Sequence, residues 1–327
     1  MTNRVTRISG SGSYLPDRIL TNDELAAQID TSDAWIRERT GIAQRHIAAE
    51  GQTTSDLGVE AARRALDDAG LTIADIDLIV VATTTPEFVF PSTATVIQAR
   101  LGMDHGAAFD VQAVCSGFVY ALSVTDALLK TGQHKRALLI GAEAMSRILN
   151  WEDRSTCVLF GDGAGAWVLS AEEASPEAAD RQPGVIGSYL RSDGRLKELL
   201  HTTGGPSSTR SSGYLVMQGN AVFRHAVVNI SEAMTTLMRQ HGLTGEDVDW
   251  FVPHQANQRI LEAVAKRLGI ASGKVISTVA NHGNTSAASV PLAFDVAVQD
   301  GRIKRGDLCL LEALGGGLTW GSALVRY

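Results

Sequence analysis

The sequence predicts an α/β fold made of two similar halves, and two observations lead to it. Short apolar runs such as Leu78–Ala82 alternate with longer stretches whose apolar residues recur every three to four positions, which indicates strands alternating with amphipathic helices. The segment GLTIADIDLIV (70–80) reappears as GLTGEDVDWFV (242–252), so the chain contains an internal repeat. The alternation of strands and helices favours mixed, mainly parallel sheets with helices on both faces.

The repeat continues beyond this segment, element by element. Each copy follows a helical stretch, runs into a second helix ending in Arg-Leu-Gly, and continues through an apolar strand to a helix start rich in small residues. A buried strand and a glycine-rich turn leading into a final strand complete each unit. The paired segments are Ser55–Ala69 and Val227–His241, Arg100–Gly102 and Arg267–Gly269, Ala108–Val114 and Val275–Ala280, Arg136–Gly141 and Leu308–Glu312, and residues 161–170 and 315–327. Matching order over all these elements predicts duplicated units, residues 1–172 and 173–327.

Three local patterns complete the assignment of elements. The charged stretch Ala171–Pro183 is interpreted as the linker between the halves, and Gly204–Gly213 as an exposed loop within the second half. Thr21 and Glu24 have the spacing of a capping box, which predicts a helix beginning near Asn22.

Composition and charge set the class of protein. Of the 327 residues, 44% are hydrophobic and 20% are charged, and the formal net charge is −7. This profile is typical of a globular protein, with a prior of roughly two domains at about 150 residues each. A disordered chain would have fewer apolar residues, and a general nucleic-acid or anionic-membrane binder would carry a basic face.

Cysteine usage and hydropathy indicate the compartment. Cys115, Cys157 and Cys309 are far apart and form no C-x-x-C pair, which argues against a disulfide framework or a zinc site and suits a reducing cytosol. Glycine and serine come before any apolar stretch of signal-peptide type, and no apolar run approaches the length of a membrane span. We therefore expect a soluble cytoplasmic enzyme without a metal.

Cys115 is the first candidate for chemistry. It lies at the predicted junction between a strand and a helix that starts with small residues. Backbone N–H groups and the helix dipole at such a position would stabilise a thiolate. The alternative is a buried structural cysteine, the commoner fate of a lone Cys, and the apolar surroundings of Cys157 and Cys309 fit that alternative well.

His254 and Asn284 are the other two candidates. His254 follows a predicted buried strand, and ligands bind at the carboxyl ends of parallel strands; the alternatives are a satisfied core histidine, or His282 as the functional one. Asn284 lies in NHGNTSAAS (281–289), whose counterpart in the repeat is the Cys115 turn. The duplication therefore predicts that Asn284 lies near the thiol, whereas a turn with φ > 0 positions is the alternative.

The glycine-rich segments Gly161–Gly165 and Gly315–Gly317 resemble phosphate loops only superficially. Both precede predicted strands, whereas phosphate loops open helices. Glycines beside a catalytic cleft can instead present backbone N–H groups as an oxyanion hole.

Together, the motifs VCSG (114–117), VPHQAN (252–257), HGNTSAAS (282–289) and GGGLTWGSA (315–323) resemble those of the β-ketoacyl-acyl carrier protein synthase III enzymes. The resemblance covers essentially the whole chain, from Tyr14 to Tyr327. It implies a thiolase-type fold with a five-layered αβαβα core, normally a homodimer. It also implies two substrates, acyl-CoA and malonyl-acyl carrier protein, no cofactor, and a role in starting type II fatty acid synthesis.

The resemblance also implies the roles of the candidate residues. Cys115 would carry the acyl group, with the backbone N–H groups of Cys115 and Gly316 holding the tetrahedral oxyanion. His254 and Asn284 would stabilise the enolate formed by decarboxylation of the malonyl group. Elongating synthases use two histidines and degradative thiolases use a second cysteine as base, so Asn284 favours an initiating enzyme.

Substrate-binding residues carry over in the same way. The expected CoA contacts are Trp35, Arg39, Thr40, Arg154, Gly219 and Asn257. Phe90 matches a position that reaches across the dimer to close the acyl pocket, and an aromatic there favours a short primer such as acetyl. Leu314 stands where many members have Phe and predicts a larger pocket.

Two of these assignments have simple structural alternatives. Arg259, Lys266 and Arg267 form a candidate docking patch for an acidic carrier protein, or a solvated helix face. Trp35 and Arg39, four residues apart, form a CoA contact or a surface cation–π pair.

Other functions remain open from the sequence. The nearest is a condensing enzyme or acyltransferase of the same fold that uses a longer or aromatic acyl group in secondary metabolism. Cys, His and Asn in this chain order also serve papain-like cysteine hydrolases, although the duplicated halves argue against that class. A non-catalytic CoA- or carrier-protein-binding module would show no acyl-cysteine.

Overall fold

The computed structural model describes residues 4–175 and 182–327, which form two main β-sheets. The first sheet has the strand order β1-β7-β6-β4-β5, and the second has the order β11-β12-β13-β8. The strands of the first sheet are β1 (Arg4–Tyr14), β4 (Leu78–Ala82), β5 (Ala107–Val111), β6 (Arg136–Ala144) and β7 (Asp162–Glu173). Those of the second are β8 (Gly184–Ser192), β11 (Trp250–Pro253), β12 (Leu308–Gly315) and β13 (Thr319–Arg326). Two small ribbons pair β2 (Arg18–Thr21) with β3 (Gln44–Ile47), and β9 (Leu200–Thr202) with β10 (Leu215–Met217).

Both main sheets are mixed, so the expectation of mainly parallel sheets is wrong. Strand β4 is parallel to β5 and β6, and β11 is parallel to β12. The pairs β1–β7, β6–β7, β12–β13 and β8–β13 are antiparallel. In the second sheet the glycine turn between Gly315 and Thr319 reverses the chain at once, and a direct reversal produces an antiparallel hairpin.

The helices complete five layers. Helices α3 (Thr54–Ala69) and α4 (Thr93–Leu101) cover the outer face of the first sheet, and α5 (Gly117–Lys130) and α9 (Ser289–Gln299) contact both sheets from between them. Helix α6 (Gly219–Gln240), with α7 (Gln258–Leu268) packed on it, covers the outer face of the second sheet. The short helices are α1 (Asn22–Ala26), α2 (Asp33–Thr40) and α8 (Val279–His282). The αβαβα arrangement expected for a thiolase-type fold is confirmed.

Three apolar clusters fill the spaces between these layers. The central one, between the sheets, contains Phe118, Trp167 and Phe294, whose rings pack edge-on or tilted with centroids 5.0 and 4.6 Å apart. Such aromatic contacts add about 0.5–1.5 kcal/mol each beyond area burial. This packing holds the two central helices between the sheets, because Phe118 lies in α5 and Phe294 in α9.

Several predicted boundaries shift in the structure. The strand predicted as Ala108–Val114 ends at Val111, and Val114–Ser116 form a 3₁₀ turn before α5. The strand predicted as Val275–Ala280 is reduced to one bridge between Phe251 and Val275, because Val279–His282 form α8. Helix α6 begins at Gly219 rather than near Val227.

The remaining local predictions have mixed outcomes. The capping box is confirmed: the Thr21 N–H donates to Glu24 Oε2 (3.0 Å), and the Glu24 N–H donates to Thr21 Oγ1 (3.2 Å). Gly204–Gly213 form a largely exposed loop between β9 and β10. The predicted linker Ala171–Pro183 is wrong at its start, because β7 extends to Glu173; residues 176–181 lie outside the described residues.

Candidate active site

One cavity of about 540 Å³ brings Cys115, His254 and Asn284 together. Each comes from a different place in the fold: the turn before α5, the end of β11 and the turn before α9. The other residues lining the cavity are Arg39, Thr40, Ser155, Leu159, Phe160, Leu200, Met217, Gly219, Asn220, Val222, Phe223, Arg224, Ala256, Asn257, Arg259, Ile260 and Leu314. The repeat therefore predicted correctly that Asn284 and Cys115 share a site, and His282 does not line it.

Cys115 occupies a strained turn. Val114 before it has φ of 51°, and Ser286, at the equivalent point of the turn before α9, has φ of 50°. This left-handed region costs of order 1–3 kcal/mol for a residue with a side chain. Burial raises the pKa of the Cys115 thiol to about 12, so the resting group is a thiol and not the expected thiolate. Cys115 precedes the N-terminus of α5, and a helix N-terminus stabilises nearby negative charge.

The glycine turn 315–317 packs directly against the Cys115 turn. A Cβ atom on Gly315 would lie 2.6 Å from the Cys115 nitrogen, and one on Gly316 would lie 2.8 Å from the Leu200 oxygen. Thr319 links the two turns, because its Oγ1 lies 3.0 Å from the Ala113 oxygen and 3.1 Å from the Gly316 oxygen. Only glycine fits at these contacts, and Gly315 is the residue that lies directly against Cys115, with Gly316 next to it in the chain.

His254 is buried and neutral. Burial lowers its pKa to about 3, so the imidazole carries a single proton at neutral pH. Its backbone N–H donates to the Glu312 oxygen (2.8 Å), and its Nδ1 lies 2.6 Å from the Oγ of Ser289. Because Nδ1 is engaged inside the protein, Nε2 is the ring nitrogen available to a molecule in the cavity.

Asn284 presents its amide nitrogen to the site. Its Oδ1 accepts the backbone N–H of Ser286 (2.9 Å). The backbone N–H of Asn284 donates to the backbone oxygen of Leu159 (2.8 Å), and its backbone carbonyl accepts the N–H of Gly161 (3.0 Å). With the side-chain oxygen occupied, Nδ2 is the group left to donate into the cavity. Asn284 thus offers a hydrogen-bond donor to the cavity that it shares with Cys115 and His254.

Gln255 holds this arrangement in place, although sequence reasoning missed it. Its Nε2 donates to the oxygens of Pro253 (2.7 Å) and Ile276 (3.1 Å), and its Oε1 accepts the N–H groups of Thr278 (2.7 Å) and Val279 (3.1 Å). The side chain is fully buried. It thereby connects the end of β11 to the segment that leads to Asn284. A polar Gln beside the predicted catalytic His was the available signal.

Of the residues expected to bind CoA, Arg39, Thr40, Gly219 and Asn257 line the cavity, and Trp35 lies beside Arg39. The guanidinium carbons of Arg39 and Arg154 lie 4.7 and 5.2 Å from the centroid of the Trp35 ring. Arg154 also donates to the backbone oxygen of Asp30 (2.7 Å) and forms an ion pair with its carboxylate (3.2 Å). At this distance the Arg154 guanidinium covers a face of the Trp35 ring. A base that stacks between Trp35 and Arg154 would therefore have to displace the Arg154 side chain.

Asn257 has a structural task as well. Its Oδ1 accepts the Arg259 N–H (2.9 Å), which caps α7, and its Nδ2 donates to the Arg39 oxygen (3.0 Å). The side chain lines the cavity, yet both ends of its amide are engaged within the protein.

The inner wall of the cavity is apolar. It includes Leu159, Phe160, Leu200, Met217 and Leu314. Sequence reasoning found only Leu314 among these, since the others come from separate segments that meet only in the folded chain. Phe223 and Arg224 were missed because α6 begins earlier than its periodicity indicated.

Six predicted site residues do not line the cavity in the single chain: Trp35, Phe90, Arg154, Lys266, Arg267 and Gly316. Phe90 is 84% exposed, on the same loop as Phe88 and Val89, which are 56% and 76% exposed. Lys266 and Arg267 are exposed at the end of α7, whereas Arg259, also exposed, stands at the cavity mouth. Gly316 is buried behind the Cys115 turn.

Residues 4–175 and 182–327 contain no cluster of metal-ligating side chains and no helix suited to span a membrane. No group of three or more His, Cys, Asp or Glu side chains there is placed to hold a metal ion. None of the described helices is both long and apolar enough to span a membrane.

Comparison with known proteins gives consistent matches over the chain. Two family models match, 3-oxoacyl-[acyl-carrier-protein] synthase III over residues 109–194 and its C-terminal part over residues 238–327. A β-ketoacyl-[acyl-carrier-protein] synthase III from Paramagnetospirillum magneticum is 60% identical, with 98% of each chain covered. The crystal structure of 3-oxoacyl-[acyl-carrier-protein] synthase III from Aquifex aeolicus has a TM-score of 0.92 at 45% identity, covering 98% of this chain and 100% of that one. A priming β-ketosynthase from the R1128 polyketide biosynthetic pathway has a TM-score of 0.92 at 37% identity, covering 99% and 96%. The chain belongs to the β-ketoacyl-[acyl-carrier-protein] synthase III family.

Proposed function

We propose that this enzyme condenses an acyl-CoA primer with malonyl-acyl carrier protein, giving 3-oxoacyl-acyl carrier protein, CoA and CO₂, and so initiates fatty acid synthesis. The observation that carries the proposal is the shared cavity of Cys115, His254 and Asn284. A nucleophile beside two neutral donors suits a reaction that first stores an acyl group and then stabilises an enolate. The roles of the individual residues are part of this proposal.

The first half-reaction transfers the acyl group to Cys115. Its sulfur attacks the thioester carbonyl, the C–S bond to CoA breaks, and the thiol proton ends on the departing CoA sulfur. The N–H groups of Cys115 and Gly316 stabilise the tetrahedral oxyanion. Because thioester is exchanged for thioester, this step is nearly neutral in energy.

The second half-reaction forms the carbon–carbon bond. The malonyl carboxylate leaves as CO₂, and its bonding electrons become an enolate whose oxygen accepts hydrogen bonds from His254 Nε2 and Asn284 Nδ2. The enolate carbon attacks the acyl-enzyme carbonyl, and collapse of the tetrahedral species breaks the C–S bond to Cys115. The released thiolate takes a proton, and loss of CO₂ makes the condensation effectively irreversible.

We propose that CoA enters along Trp35, Arg39, Thr40, Arg154, Gly219 and Asn257. Stacking of adenine on Trp35 then requires Arg154 to leave its place against the ring and Asp30. The pantetheine arm reaches Cys115 through the cavity.

The primer is proposed to be short, with acetyl as the first candidate. The apolar inner wall suits an acyl chain, and Phe90 would close it from a second copy of the chain. Leu314 in this wall favours a second candidate, a longer primer used in secondary metabolism, and one structural relative is a priming β-ketosynthase from a polyketide biosynthetic pathway.

The proposal also covers the carrier-protein partner, the homodimer and the cellular location. Arg259 at the cavity mouth, with Lys266 and Arg267 along α7, would attract an acidic carrier protein, and the exposed Arg224 adds to this patch. The enzyme is proposed to act as a homodimer in the cytoplasm, without a cofactor. Its three described cysteines are free thiols and buried, which suits a reducing compartment.

The direct test is the intact mass of the purified enzyme after incubation with a panel of acyl-CoAs. One added acyl group is expected, and it should be absent from Cys115→Ala. The chain length that reacts fastest distinguishes an acetyl primer from a longer one. An adduct that persists in Cys115→Ala, or no adduct with any acyl-CoA, would contradict the assignment of Cys115.

A further inference from the structure

His254 has one side-chain partner among the described residues, the hydroxyl of Ser289. Nδ1 and Oγ are 2.6 Å apart, and both side chains are buried, at 4% and 1% exposure. The backbone N–H of Gln255 also points to this hydroxyl, with N and Oγ 3.3 Å apart. Ser289 is the first residue of α9, so the contact joins the end of β11 to the helix that follows the Asn284 turn.

The hydrogen-bond inventory of the hydroxyl decides which ring nitrogen carries the proton. Ser289 Oγ can accept bonds, but it has a single proton to donate. The Gln255 N–H can only donate to it, and the described residues offer the Ser289 proton no acceptor besides Nδ1. If Nδ1 were protonated, the buried serine proton would have no hydrogen-bond partner, which is unfavourable for a buried donor. The satisfied arrangement has Ser289 donating to Nδ1 and the imidazole proton on Nε2.

We propose that Ser289 is a positioning residue that fixes His254 in the Nε2–H tautomer. This inference rests on the proposed function, because only that tautomer makes Nε2 a donor to the enolate oxygen. In the other tautomer Nε2 would present a lone pair to a developing negative charge. Ser289 touches no substrate and acts only through His254.

Loss of the hydroxyl is expected to affect the two half-reactions differently. In Ser289→Ala both tautomers become accessible, so fewer molecules present a donor to the enolate. Removing one oxyanion donor costs about 10²–10³-fold in rate; since some molecules keep the correct tautomer, we expect malonyl decarboxylation and condensation to fall roughly 10–100-fold. Acylation of Cys115 does not use this donor and should change by less than about threefold.

The test combines histidine nitrogen NMR with both half-reactions. In the wild-type protein, ¹⁵N-labelled at histidine, the His254 signals should show a protonated Nε2 and an unprotonated Nδ1, identified by their loss in His254→Ala. Ser289→Ala should shift these signals towards a mixture, and Ser289→Thr, which keeps a hydroxyl, should restore them together with the condensation rate.

A matched control is Ser231→Ala. This buried helical serine donates to the Val227 oxygen (2.6 Å) within α6, and its removal should leave both half-reactions and the His254 signals unchanged. A wild-type protein with its proton on Nδ1 would overturn the inference, as would an unchanged tautomer and condensation rate in Ser289→Ala. Failure of the wild-type protein to acylate or condense would instead refute the proposed function, and the NMR signals would still report the tautomer.

Discussion

At the scale of single residues, burial decides the protonation states that the chemistry uses. Burial raises the pKa of Cys115 to about 12 and lowers that of His254 to about 3. The resting site therefore contains a neutral thiol beside a neutral imidazole, not the ion pair that cysteine hydrolases use. This favours an acyl-transfer and decarboxylation site over the hydrolase that the order Cys, His, Asn also allows.

The decarboxylation step should be independent of the titration of His254. The variant Cys115→Ala cannot be acylated, so CO₂ release from malonyl-acyl carrier protein reports on His254 and Asn284. With the pKa of His254 near 3, the imidazole stays neutral, and the rate should be flat from about pH 5.5 to 8.5. A rate that falls in acid with a midpoint near the ordinary histidine value of about 6.5 would contradict the buried neutral imidazole. Circular dichroism at each pH controls for unfolding.

The sequence predicted which residues meet but not their states. Cys115, His254 and Asn284 were found because their residue types and the repeat both pointed to one site. The partner of His254 was missed, since Ser289 lies 35 positions away along the chain and serine is common at helix starts. The protonation state of a titratable side chain depends on its burial by segments that are distant in the chain. A local sequence pattern does not contain this information.

At the scale of elements, prediction worked for strongly periodic segments and failed at the turns of the site. The helix predicted as Ser55–Ala69 is observed as Thr54–Ala69. The strand predicted to reach Val114 ends at Val111, and Val114 has φ of 51°, which is unfavourable for a β-branched residue. Valine favours strands, so local propensity predicted a continued strand, whereas the observed turn packs against Gly315.

The loop between β4 and α4 should form the contact between two copies of the chain. It exposes Phe88, Val89 and Phe90 together, and a contiguous apolar patch of this kind marks an interaction site. Sedimentation should give a dimer at micromolar concentration, and Val89→Asp should shift it towards monomer. Val228→Asp, at an apolar position 39% exposed in α6, should remain dimeric. A monomeric wild-type protein would contradict the proposed dimer.

At the scale of the whole molecule, duplication explains why the site lies where it does. Helices α5 and α9 occupy equivalent places between the two sheets, and each follows a 3₁₀ turn with one residue near φ of 50°. The turn in the first half carries Cys115, and the turn in the second half follows Asn284. These two turns thus share a backbone conformation while their side chains differ.

The most direct test of the whole account is a single-turnover chase. Enzyme acylated on Cys115 and freed of excess acyl-CoA is mixed with malonyl-acyl carrier protein, and the masses of both proteins are followed with CO₂ release. The account predicts that the enzyme loses its acyl group as an equal amount of 3-oxoacyl-acyl carrier protein and CO₂ appears. Release of the acyl group as a free acid, or its transfer unchanged to the carrier protein, would contradict a condensing enzyme.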